Sequence, residues 1–95
     1  MNLKNETPFV QEIYKNHYDL WKVETFTIAF REPTEKIYGA DRVPDAKKCL
    51  DTFIRNIVEK TGYDYNEVKE ALRIITELDM KEMAEFYANN PVTGC

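Results

Sequence analysis

The sequence predicts a mainly α-helical fold in a single small domain, residues 1–95. A chain of 95 residues is too short for two independent hydrophobic cores. Apolar residues recur at three- and four-residue spacing, and the connections between such segments are only a few residues long, so neighbouring helices must pack on one another. We expect an N-terminal helix over about 8–21, a short β-hairpin over about 23–43 and a C-terminal three-helix unit over about 45–90.

The first helix has a recognisable start. Thr7 can cap the free backbone N–H groups of a helix end, and Pro8 fits the first helical position, where its missing N–H costs nothing. Apolar and aromatic residues then follow at helical spacing: Phe9, Val10, Ile13, Tyr14, His17, Leu20 and Trp21. This spacing indicates an amphipathic helix.

The segment from residue 23 to residue 43 fits two conformations. β-branched residues such as Ile28 favour an extended chain, whereas Phe26 and Phe30 also suit a continued helix. If the segment is extended, the turn-forming residues around Pro33 allow a second strand to return beside the first. Both conformations stay open, and we favour the short β-hairpin.

The second half of the chain predicts three helices. The first shows the clearest amphipathic spacing and ends at Gly62, which can adopt the left-handed conformation of a helix C-terminus. Asp64 followed by Glu67 resembles a capping box, in which a polar side chain caps the backbone of a helix start. Asp79 followed by Glu82 repeats that spacing, and we therefore expect a third helix to begin there.

The charge of the chain argues against nucleic-acid binding. Seventeen acidic and 13 basic side chains give a formal net charge of -4, which repels a phosphate backbone. Residues 61–95 hold seven acidic and three basic side chains, and thus the whole acidic excess. We expect a protein partner for this acidic end, and nucleic acid as the less favoured partner.

No catalytic, metal-binding or cofactor-binding motif is present in the sequence, and we expect no enzyme activity, no metal and no cofactor. His17 is the only histidine and lies far along the chain from Cys49 and Cys95, so a nucleophilic dyad and a zinc site both lack neighbouring groups. Two cysteines are too few for a disulfide framework. With no signal segment and no apolar run of membrane-spanning length, we expect a cytoplasmic protein without a membrane partner.

The three predicted helices and the first connection between them show a characteristic order of residues. It comprises Ile54–Tyr63, Val68, Ala71, Leu72 and Met83–Phe86. This spacing resembles that of ubiquitin-associated domains and of the N-terminal module of bacterial elongation factor Ts, over at most residues 50–90. The resemblance implies a protein-binding module whose Thr61–Tyr63 loop and last helix face the partner. The second connection is about one residue longer than in those domains, and Tyr63 replaces their usual phenylalanine or methionine. Any three short helices closed by a glycine also need apolar residues here.

The aromatic residues give the strongest indication of function. The chain has 12 aromatic residues, from one Trp, six Tyr and five Phe, which exceeds what one small core can bury. Tyrosine and tryptophan are enriched at protein interfaces, although several here can equally line the core with their polar tips at the surface. The residues predicted to bind a partner are aromatic or acidic: Tyr14, Tyr18, Trp21, Tyr63, Glu67, Glu70, Asp79, Glu82 and Glu85.

These observations predict a small intracellular interaction module that binds another protein or itself as a homo-oligomer. Its acidic helices suit a basic, nucleic-acid-binding target, as expected for an inhibitor or adaptor of the kind that mobile elements encode. The alternative is a DNA-associated helical transcription regulator that dimerises through its N-terminal part.

Overall fold

The computed structural model describes residues 3–34, 36 and 39–89, apart from the side chains of Tyr87 and Asn89. Within these residues the fold contains four α-helices, two short 3-10 turns and no strand, which confirms the mainly α-helical prediction. The helices are α1 (Pro8–His17), α2 (Val23–Arg31), α3 (Val43–Thr61) and α4 (Tyr65–Asn89), and the 3-10 turns are Leu20–Lys22 and Ala40–Arg42.

α1 begins where the sequence predicts and ends earlier. The backbone N–H of Val10 donates to Thr7 Oγ1 at 3.3 Å, which is the predicted cap. The helix ends at His17, because Tyr18 has an extended backbone with φ -81° and ψ 142°. Trp21 therefore lies outside the helix to which its spacing assigned it.

α2 replaces the first half of the β-hairpin predicted over residues 23–43, and that prediction was wrong. Phe26 and Ala29 are both buried one turn apart, so a helix covers side chains that a two-stranded hairpin would leave more exposed. The Thr27 hydroxyl donates to the Val23 carbonyl at 2.7 Å, a bond that accommodates a β-branched side chain within a helix. Part of the expected return strand lies outside the described residues.

α3 and α4 cover the region in which three helices were predicted. α3 ends at Gly62, whose φ of 78° is left-handed, and Asp64 Oδ2 accepts from the Glu67 N–H at 3.2 Å at the start of α4. Both of these predicted boundaries are confirmed. The break expected at Asp79 is absent, because α4 continues through it. Residues three apart lie on the same side of a helix, so the spacing of Asp79 and Glu82 fits a helix interior as well as a helix start. The residues between them are also compatible with a helix interior.

α2 packs against both α3 and α4, and α1 packs along α4. Phe26 lies at the centre of this arrangement, with its ring centroid 5.1 Å from Phe53 and 6.2 Å from Tyr18. Side chains from all four helices are less than 2% exposed in the core: Ile13, Phe26, Ile54, Val68, Leu72 and Ile75. The core therefore depends on every helix.

Candidate functional site

α1 and α4 lie side by side and run in the same direction. Near the start of both helices, Phe9 lines a groove together with Glu67 and Glu70. Further along, Tyr18 lies beside Asp79. The residues predicted to form one partner-binding surface are therefore divided into two groups along this helix pair.

Tyr63 belongs to the first group and connects α1 to the turn between α3 and α4. Its hydroxyl donates to the Glu12 carboxylate, with oxygen distances of 2.7 and 2.8 Å, and its ring packs edge-on against Phe9 at 5.2 Å. The bond to Glu12 raises the pKa of Tyr63 above its usual value. Tyr63 was predicted to contact a partner, and the structure gives it a contact within the fold.

Glu67 and Glu70 border the first groove, which has a volume of about 600 Å³. Its floor is largely apolar, with Val10, Ala71 and Ile74 among the lining residues. Both glutamates are exposed. A bond from Arg73 lowers the pKa of Glu70, so this carboxylate already has a partner of opposite charge.

Tyr14 and Tyr18 belong to the second group and are both half-buried. Their ring centroids are 5.7 Å apart, and with Leu20 they line a groove of about 530 Å³ on the outer side of α1. The hydroxyls of Tyr18 and Thr76 are shielded from solvent, and neither makes a hydrogen bond of regular geometry to another described residue. Burial raises the pKa of Tyr18 to about 12.

Asp79 lies at the edge of this second group. It is half-buried beside Tyr18, and this burial raises the pKa of Asp79, with a further contribution from the negative charge of Glu82. Glu82 and Glu85 are exposed. The structure therefore brings Tyr18 and Asp79 together, and places Glu82 and Glu85 beyond them along α4.

The 3-10 turn after α1 presents two exposed apolar side chains. Leu20 is 54% exposed and Trp21 is 93% exposed. Asp19 Oδ1 accepts from the Trp21 N–H at 3.0 Å, and the Val23 N–H donates to the Leu20 carbonyl. Leu20 was not among the predicted partner-binding residues, although it shares the helical spacing of Tyr14 and Trp21.

The second half of α4 exposes two more apolar side chains. Met83 is 37% exposed and Phe86 is 59% exposed. The sequence pattern predicts both as apolar residues of a third packed helix. Their helical spacing shows which side of the helix is apolar. It does not show which part of that side the other helices cover.

A separate polar cluster joins α3 to the start of α4. Asp51 accepts from the Tyr65 hydroxyl at 2.6 Å and from Arg55 at 2.8 Å, and these bonds lower the pKa of Asp51. The Arg55 guanidinium also lies 5.6 Å from the centroid of the Tyr65 ring. All three groups have their partners within the cluster, which points to a role in holding the two helices together.

Among the described residues, no group of three or more His, Cys, Asp or Glu side chains is placed to hold a metal ion. None of the described helices is both long enough and apolar enough to cross a membrane. The chain was also compared with models of known protein families, with curated proteins and with solved structures, and no match was found in any of the three.

Proposed function

We propose that this protein is a small protein-binding module that docks on another protein through the surface around Leu20 and Trp21. The observation that carries the proposal is the 93% exposure of the Trp21 side chain, next to a Leu20 that is 54% exposed. Tryptophan is among the residues most enriched at the energetic centres of protein interfaces, since it buries a large area and has a polar N–H to satisfy. Two adjacent exposed apolar side chains supply such a centre.

The backbone that carries these side chains is held by hydrogen bonds. The Lys22 N–H donates to the Asp19 carbonyl at 3.0 Å, and the Asp19 carboxylate accepts from the Trp21 N–H at 3.0 Å. A binding residue on an ordered backbone loses less conformational entropy when a partner binds. This supports the 3-10 turn as a docking element.

A finer version of the proposal is an acidic inhibitor or adaptor that binds a basic partner. Its support is the formal net charge of -4, since opposite charges favour encounter between partners. A helix-turn-helix built from separate second and third helices after residue 45 is not formed, because those two segments are continuous in α4. The DNA-associated alternative, a dimer that sets two helical modules against adjacent grooves, stays a second proposal.

The experiment compares what three tagged proteins retain from a nuclease-treated lysate: the wild type, Trp21→Ala, and the control Thr52→Ala at an exposed position on α3. We expect a protein retained by the wild type and the control to be lost with Trp21→Ala, while circular dichroism shows unchanged folding. Equal retention of the same proteins by all three would contradict the proposal. Sedimentation of the purified wild type shows whether the partner is a second copy.

A further inference from the structure

We infer that the exposed second half of α4 binds a basic amphipathic helix of the partner protein, an inference that rests on the proposed function. The side of α4 that is buried in the core continues past the core. Phe86 follows Val68 by 86 - 68 = 18 residues, which at 3.6 residues per turn is about five full turns. Val68 is 0% exposed and Phe86 is 59% exposed, so this line of α4 is covered at its start and largely exposed at its end. Between these ends it is apolar up to Ile75 and then carries Asp79 and Glu82.

Met83 lies on the same stripe. It follows Asp79 by four residues, about one turn, and Asp79 is the residue that lies beside Tyr18. The 37% exposed Met83 and the 59% exposed Phe86 therefore continue along the side of α4 that α1 covers further back. We call Met83 and Phe86 the open stripe.

The charged side chains of α4 nearest the open stripe are acidic. At about 100° per residue, Asp79 and Glu82 lie within about 40° of Phe86 around the helix, whereas Lys81 lies about 140° away. Lys81 instead lines a groove with Arg31 on another side of α4. The basic side chain of this part of α4 is thus directed away from the open stripe, whereas Asp79 and Glu82 lie on the same side of the helix as the open stripe.

This charge pattern decides between two occupants. A second copy of α4 would bring Asp79 and Glu82 close to acidic side chains of the same kind, and like charges oppose such pairing. A helix with apolar residues on one side and Lys or Arg along its edges matches both the apolar stripe and its acidic border, as in other helix-on-groove complexes. The charge complementarity therefore favours a basic amphipathic helix.

The test measures fluorescence anisotropy of a labelled model peptide of about 18 residues, five helical turns. The peptide contains leucine on one side and lysine on the other, and its control has the same composition with the leucines scattered. We expect the wild type to bind the amphipathic peptide at least about tenfold more tightly than the scattered one. Equal binding of the two peptides, or binding of neither, would overturn the inference.

Two matched charge reversals locate the binding site. Glu82→Lys changes the border of the open stripe, while Glu77→Lys makes the same change about 180° from Phe86 on the same helix. Glu82→Lys should weaken binding about tenfold and Glu77→Lys less than about twofold. Equal weakening would show unspecific attraction to an acidic protein and would refute the inference.

The double variant Met83→Ser with Phe86→Ser tests the apolar contribution, and both positions are exposed enough for the fold to be kept, which circular dichroism checks. We expect at least about tenfold weaker peptide binding. The same variant is used for lysate capture beside Trp21→Ala. If capture depends on Trp21 and not on the open stripe, the proposed function stands and this inference falls. If capture is independent of Trp21, the proposed function itself falls.

Discussion

Replacing Trp21 by alanine should leave the free energy of unfolding almost unchanged. The side chain is 93% exposed, so only 100 - 93 = 7% of it is covered by the rest of the protein. Full burial of a large apolar side chain contributes about 1.5–3 kcal/mol, and the covered fraction of Trp21 is therefore worth roughly 0.1–0.2 kcal/mol. The matched variant is Phe26→Ala: Phe26 is 0% exposed, and its truncation should cost about 3–5 kcal/mol.

Urea unfolding followed by circular dichroism measures both changes without depending on the tryptophan itself. Because Trp21 is the only tryptophan in the chain, its fluorescence adds an independent observation on the wild type. An indole exposed to this degree should emit like free tryptophan and be quenched freely by acrylamide. Both measurements should separate a surface side chain from one that supports the core.

A loss of more than about 1 kcal/mol with Trp21→Ala would refute this reasoning, since such a loss needs contacts that a 93% exposed side chain does not make. A blue-shifted emission protected from acrylamide would refute it in the same way. Either result would remove the main support for a docking surface around Trp21 and assign the residue to the packed fold.

Two further substitutions test the described geometry. Gly62→Ala should destabilise the protein by about 1 kcal/mol, because φ is 78° and alanine is strained there, although an added Cβ meets no atom within 4 Å. An unchanged urea midpoint would contradict the left-handed cap. For Tyr18, burial raises the pKa from 10.0 to about 12, so its contribution to stability is fully present below pH 10 and is lost as the pH rises towards 12. Tyr18→Phe should flatten the alkaline loss of stability in urea unfolding, and parallel profiles would show that Tyr18 is hydrated.

The helix boundaries that the sequence predicts correctly are those with a local chemical cause. Thr7 caps the start of α1, Gly62 ends α3, and Asp64 caps the start of α4. Each of these depends on one side chain, or on the lack of one, acting on backbone within a few residues. Such interactions form whatever the rest of the fold does, and for this reason they can be predicted from sequence.

The errors arise where distant packing decides the conformation. β-branched residues in the segment before Arg31 favour a strand, but burial of Phe26 against Phe53 and Tyr18 stabilises a helix. The pattern of Asp79 and Glu82 fits a helix start and a helix interior equally well. Local propensity could not distinguish these alternatives, because it contains no information on the neighbouring helices.

The candidate site was predictable only in its residue types. The abundance of aromatic residues indicated that some would be exposed, and Trp21 is exposed to 93%. Tyr63 was also predicted to contact a partner, from the resemblance of its loop; its hydroxyl bonds to Glu12 within the fold, and its contact with a partner stays a prediction. Exposure of Met83 could not be inferred, because apolar spacing within α4 does not show where the other helices stop covering it.

The side-by-side packing of α1 and α4 also has a consequence for how the chain is made. α1 is synthesised before α4, the helix along which it packs, and its residues Val10 and Ile13 are buried in the folded protein. The bond between Glu12 and Tyr63 likewise joins groups 51 residues apart in sequence. The packing of α1 therefore cannot be completed until the part of α4 that contacts it has left the ribosome.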